Sequence, residues 1–286
     1  MPTVNDDYPK KSPTSAEETM KAMAIAQFEA QQTPSVKSVD YPTEIIELPS
    51  KGLLYPSGHP LSGGTIEMKY MTAREEDILT NQSYIKQGVV LDKLFKSLIV
   101  TDVPYDDIFV GDKNAIMIAA RVLGYGKIYD TKVTTPSGTE QEVSIDLTEL
   151  TEKEIDWGLI QQGKNEFTFE LPASKRTIKL RLLTQGIQNK IDAELKGLLK
   201  LGRDASATTL LKHVVIELDG DTDTGKIRNF IDREMLAIDS RAIRQFLKSV
   251  TPDVDLTVWL TDEATMEPFR SSFTIGLDFF WPDVKI

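Results

Sequence analysis

One pattern is written twice in this chain, and a repeat of that kind limits the fold more than any single motif does. Residues 111–130 read GDKNAIMIAARVLGYGKIYD. Asp112 has the chemistry of a helix N-cap: a carboxylate accepts from the free amides of a first turn and sits well at the positive end of the helix dipole. Ala115, Ile116, Ile118, Ala119, Val122 and Leu123 follow at helical spacing, which predicts a largely buried helix. Gly124 and Gly126 then stop it, and a strand is expected from Ile128. Residues 237–250, AIDSRAIRQFLKSV, repeat the scheme. Asp239 stands where Asp112 stands, Ala242-Ile243 where Ala115-Ile116 stand, and a strand pattern follows over residues 256–260.

The repeat extends upstream. Ile45, Ile46 and Leu48 form a short strand closed by Pro49, and residues 65–72, TIEMKYMT, alternate as a strand does. The counterpart of this hairpin is FTFELPASKRTIKLRLLT, residues 167–184. Glu47-Leu48-Pro49-Ser50-Lys51 matches Glu170-Leu171-Pro172 with Ser174-Lys175, and Thr65-Ile66 matches Thr177-Ile178. A helix is expected after Thr72, with Glu75 completing a capping box, and another over residues 91–100. In the second copy the helical stripes are Ile187, Ile191, Leu195, Leu198 and Leu199, then Leu210, Leu211, Val214, Val215 and Leu218. A hairpin closes each copy, residues 128–134 with 141–147 and residues 255–260 with 272–280. A helix from Leu150 to Ile160, with Thr151 and Glu154 at capping-box spacing, links the halves. The expected fold is α+β: two similar lobes from an internal duplication, each with β-hairpins packed on helices. The first lobe covers residues 42–150, the linker helix residues 151–164 and the second lobe residues 165–286.

Two segments fall outside the repeat. Residues 1–41 read as a flexible arm with a short amphipathic helix, capped by Ser15 and Glu18 and carrying Met20, Met23, Ile25 and Phe28. So short a helix is marginal alone in water, so it docks either on its own domain or on a partner, and Met with Phe suits a partner's groove. The other segment is an insertion, residues 52–64, where the second lobe turns through residues 173–176. It carries Leu53, Leu54 and Tyr55. Such a loop either folds back or reaches a partner. The contact arm is the preferred reading, since apolar loops on rigid scaffolds often serve binding. Met20, Met23, Ile25, Phe28, Leu53, Leu54 and Tyr55 are therefore the partner-binding candidates.

Chemistry is hard to find. At about 150 residues per domain, 286 residues make roughly two domains, and 40% hydrophobic content fills ordinary cores. No apolar run approaches the ~20 residues that cross a bilayer and no leader pattern is visible, so a soluble chain made in the cytosol is expected. Cysteine is absent, which excludes disulfides and thiolate metal sites. A net charge of −11 argues against nucleic acid as a partner. The cluster Lys175, Arg176, Lys179 and Arg181 fits the solvent face of a strand. Gly124-Tyr-Gly-Lys127 lacks phosphate-loop spacing, and no GxSxG elbow occurs. His59, in the glycine-rich loop, and His213, on an apolar helix, have no nearby Asp or His partner in sequence and read as structural. Asp219, Asp221 and Asp223 alternate as calcium ligands do, but Thr224 and Phe230 stand where that loop needs Gly and an acid. Glu75, Glu76 and Asp77 fall in a first helical turn, where the dipole accounts for them. The expectation is no catalytic residue, cofactor or metal, hence no enzyme.

The segments ELPSKGLLYP, IEMKYMTAREEDIL, VLDKLFKSLI and GDKNAIMIAARVLGYG, with FFWP at residues 279–282, resemble the baseplate hub and tail-assembly proteins of T-even-type contractile-tailed bacteriophages. The resemblance runs from about Pro42 onward and is strongest in the first lobe. It implies a structural component of the tail baseplate with other phage tail proteins as partners, or an assembly chaperone that leaves before the virion matures. It implies host cytoplasm during assembly, then the virion tail. Relatives often carry a CPxCG turn where this chain has Thr135-Pro136-Ser137-Gly138, so no thiolate role carries over to that turn.

Overall fold

Alternation builds the first hairpin. In the computed structural model, which describes residues 42–280, β1 (Thr43–Glu47) pairs antiparallel with β2 (Thr65–Lys69), Ile46 opposite Ile66. Ile66 and Met68 lie on the buried face. Three helices follow: α1 (Ala73–Leu79), α2 (Gln82–Gln87) and α3 (Val90–Leu98). The capping box forms, since the Glu75 carboxylate accepts from the Thr72 backbone amide at 3.0 Å. The short α2 is set by Asn81, whose side chain accepts from the Ser83 and Tyr84 amides, and is closed by Gly88 in the left-handed region. Val90, Leu94, Phe95 and Leu98 bury one stripe of α3, and Ile99 then bridges back to Met68 on the sheet. α4 (Val110–Tyr125) stops at Gly126 and feeds β3 (Ile128–Thr134), which pairs with β4 (Glu140–Asp146).

The second half runs in a similar order with one strand added between its helices. β5 (Phe167–Glu170), β6 (Thr177–Leu180) and β7 (Val215–Leu218) form a three-stranded sheet, order β5-β6-β7. α5 (Gln185–Lys200) and α6 (Ser206–Val214) lie between β6 and β7. The sequence reading placed Val214, Val215 and Leu218 on one helix. Instead α6 stops at Val214, and the β-branched pair Val215-Ile216 opens a strand. There Val215 and Leu218 are buried and the backbone bonds to β6. α7 (Thr224–Arg233) and α8 (Ala237–Val250) precede β8 (Thr257–Thr261) and β9 (Pro268–Ser272). The last strand therefore ends at Ser272, not at residue 280. Phe279 and Phe280 sit in a turn and are fully buried.

The fold is mixed α+β, with eight α-helices and four small antiparallel sheets among the described residues. The linker helix expected over residues 151–164 is absent. That segment is extended and ends in a 3₁₀ turn, Trp157–Leu159. Its backbone bonds sideways to residues 249–255: Lys153 N–H donates to Asp253, Asp156 N–H to Ser249, and Asp255 N–H to Thr151. Amides committed there are not available to a helical ladder, and Gly158 weakens a helix further. Both halves feed one core, which takes in Leu48, Phe95 and Ile116 with Phe167, Phe230 and Ile243. The Phe280 ring lies 6.1 Å from Phe95, the Phe279 ring 4.9 Å from Tyr129, and the Arg121 Nε–H donates to the Phe279 carbonyl.

Candidate functional site

Asp112 is the centre of the first half. It is not the N-cap of α4, which begins after Phe109. It is the third helical residue and fully buried. Its carboxylate accepts from the Ser50 backbone amide (2.9 Å), the Ser50 hydroxyl (2.7 Å) and the Tyr55 hydroxyl (2.7 Å). Burial pushes the Asp112 carboxyl above its ordinary range, against the pull of the Ser50 and Tyr55 donors. Burial likewise pushes the Tyr55 phenol up, so it stays a neutral donor. The Tyr55 oxygen in turn accepts from the Phe109 amide, the residue that opens α4.

The 52–64 insertion is thereby tied inward. Leu54 and Tyr55 are almost fully buried and Leu61 completely so, while Leu53 is half-buried. Tyr55 stacks on His59 at 4.7 Å and meets Phe109 edge-on at 4.9 Å. The expected contact arm is corrected: Leu54 and Tyr55 anchor a loop that folds back, because a buried acceptor on α4 holds the Tyr55 hydroxyl. The neck of the loop needs glycine. A side chain on Gly52 (φ 74°) would strike the Ser62 backbone, and one on Gly64 (φ 75°) the Lys51 backbone.

The second half repeats this contact with different donors. Asp239 is again the third residue of its helix and fully buried. It accepts from the backbone amides of Ala173 (2.8 Å) and Ser174 (3.1 Å) in the β5–β6 turn. Lys51 and Lys175, just beyond the two clamped turns, both adopt positive φ, 52° and 58°.

Above each clamped turn lies the face between helix and strand, and here the halves differ. In the second half Phe246, seven residues after Asp239, packs on Phe169 at 4.7 Å and Phe167 at 6.2 Å. In the first half the residue seven after Asp112 is Ala119, and the strand positions are Ile46 and Glu44. An open groove of about 370 Å³ results, lined mainly by Ile46, Ala115, Ile118, Ala119, Val122 and Leu150.

A profile of the T4 bacteriophage base plate protein family matches residues 42–257. The chain belongs to this family. Neither a curated protein nor a solved structure matches it. The baseplate-family match starts at β1 and ends at β8, so it spans both aspartate-clamped hairpins and the groove. Met20, Met23, Ile25 and Phe28 lie outside the described residues. His213 Nε2 lies 2.9 Å from Glu194, which also pairs with Arg228 at 3.1 Å. The acidic turn is structural: Asp219 accepts from Arg176, Asp221 from Lys226, and the Asp223 side chain caps α7. Among the described residues no group of three or more His, Asp or Glu is placed to hold a metal ion. No described helix is long and apolar enough to cross a membrane. Sequence reading missed the Asp112 and Asp239 contacts, although both ends of each, the Glu-Leu-Pro turn and the aspartate, were visible as separate recurrences.

Proposed function

We propose that this baseplate-family chain is a non-enzymatic structural component of the hub region, acting by protein–protein contacts with other tail or baseplate proteins during tail assembly. The observation that carries the reading is the family match across β1 to β8. The placement of the buried acids supports it: among the described residues Glu75, Asp112, Asp239 and Asp262 are each engaged by structural donors. On this reading the chain is made in the host cytoplasm, binds no nucleic acid, and stays in the tail. The matching geometry at Asp112 and Asp239, with the shared Glu-Leu-Pro turns, supports an origin by internal duplication. Mass spectrometry of purified virions tests the role: a stoichiometric signal is expected. Absence from intact particles, with presence in assembly intermediates, replaces this reading with that of an assembly chaperone.

A further inference from the structure

We propose that the groove between β1 and α4 is the docking site for a partner protein segment that inserts an aromatic side chain flanked by lysine or arginine. The inference rests on the reading above, that the chain works by contacts with other tail proteins. The argument for the aromatic comes from within the molecule. The same helix–strand face in the second half is occupied by the packed rings of Phe167, Phe169 and Phe246, with a separate polar-lined pocket beside Phe167 and Phe246. In the first half Glu44, Ile46 and Ala119 occupy those positions, and the space the three rings would fill stays open. The walls are apolar and partly exposed at Ala115, Ala119, Val122, Leu123 and Leu150. Leaving them in water costs free energy that an inserted ring recovers.

Charge selects the flanks. Glu44 lines the groove, and among the described residues no lysine or arginine lines it; Glu149 stands exposed between lining residues Thr148 and Leu150, within reach of the Lys127 charge. Among the described residues Glu44 accepts one bond, from the Tyr70 hydroxyl, and its side chain is exposed. A basic segment finds complementary potential there, and an acidic one is repelled.

Fluorescence polarisation with the full-length chain and labelled acetyl-KKFTFKK-amide tests this, since the probe carries the Phe-Thr-Phe of β5. Saturable binding is expected, about tenfold weaker with EEFTFEE or with alanine in place of both phenylalanines. Ala119→Phe fills the groove from inside, as Phe246 does in the second half, and should abolish binding while leaving the melting temperature unchanged or raised. If that variant misfolds, Ala115→Leu and Glu44→Lys should each weaken binding severalfold. Absence of saturable binding to the wild-type chain overturns the proposal, as does equal affinity for the acidic probe or undiminished binding by the filled variants. So does self-association that Ala119→Phe abolishes, or a groove already protected from solvent in the isolated monomer. Virion mass spectrometry is independent of the probe, so failure of the groove and failure of the baseplate role are told apart.

Discussion

Three of the four buried carboxylates among the described residues are tests at the level of single residues, and each predicts a different measurement. Asp112→Ala strands the Ser50 amide, the Ser50 hydroxyl and the Tyr55 hydroxyl. Unsatisfied buried donors cost about 1–3 kcal/mol each, part of it relieved by relaxation, so a loss of about 3–5 kcal/mol is expected in urea denaturation. Asp239→Ala strands two amides and should cost less, about 2–3 kcal/mol. Glu75 titrates differently. Burial pushes its carboxyl up, but bonds from Thr72, Lys69 and Ser97 outweigh that and hold it at about 2, against an ordinary 4.5. A depressed folded-state value means the stabilisation is full above about pH 4.5 and fades as pH falls toward 2. Glu75→Gln should remove that part of the acid limb of the stability–pH curve, and an unchanged limb would refute the assignment. Leu54→Asp places a charge at a site 1% exposed, so a loss above about 3 kcal/mol is expected, where a partner-contact role would have left stability intact.

At the level of elements, the pieces written in periodicity were the ones legible in the sequence. β3 falls on the residues expected and α3 within a residue or two of them, while α4 and α8 appear where their strong apolar spacing puts them but start three residues before the positions that caps at Asp112 and Asp239 imply. The failures share a cause, in that tertiary partners overrode a local pattern. Thr151 and Glu154 have capping-box spacing, yet their segment bonds to residues 249–255 and stays extended. The apolar loop at residues 53–55 looked like an exposed arm because its acceptor, Asp112, lies 62 residues from Ser50 in the chain. The groove was invisible for the same reason: it needs α4, β1 and Leu150 in one place. Element packing also fixes Gly111. A Cβ there would overlap the Pro252 carbonyl oxygen where the first turn of α4 meets residues 252–253. Gly111→Ala should therefore destabilise by several kcal/mol, roughly the cost of overpacking, although alanine is the better helix former. Gly138→Ala, open to solvent in a turn at φ 84°, tests backbone strain alone and should cost about 1 kcal/mol.

For residues 42–280 as a whole, one core shared by both halves predicts one cooperative transition, even though the sequence reads as two lobes. Near-UV and far-UV circular dichroism should melt together, and separate midpoints would mean independent halves. Phe279 and Phe280 are fully buried against Phe95 and Tyr129 of the first half. Phe280→Ala should cost about 3–5 kcal/mol and lower that single midpoint. Their position also sets a clock. Arg121 waits for a carbonyl made 158 residues later. At roughly 5–20 residues per second the ribosome takes about 8–30 s to deliver it. Throughout that interval the nascent first half lacks the two rings that pack on Phe95 and Tyr129 in the finished core.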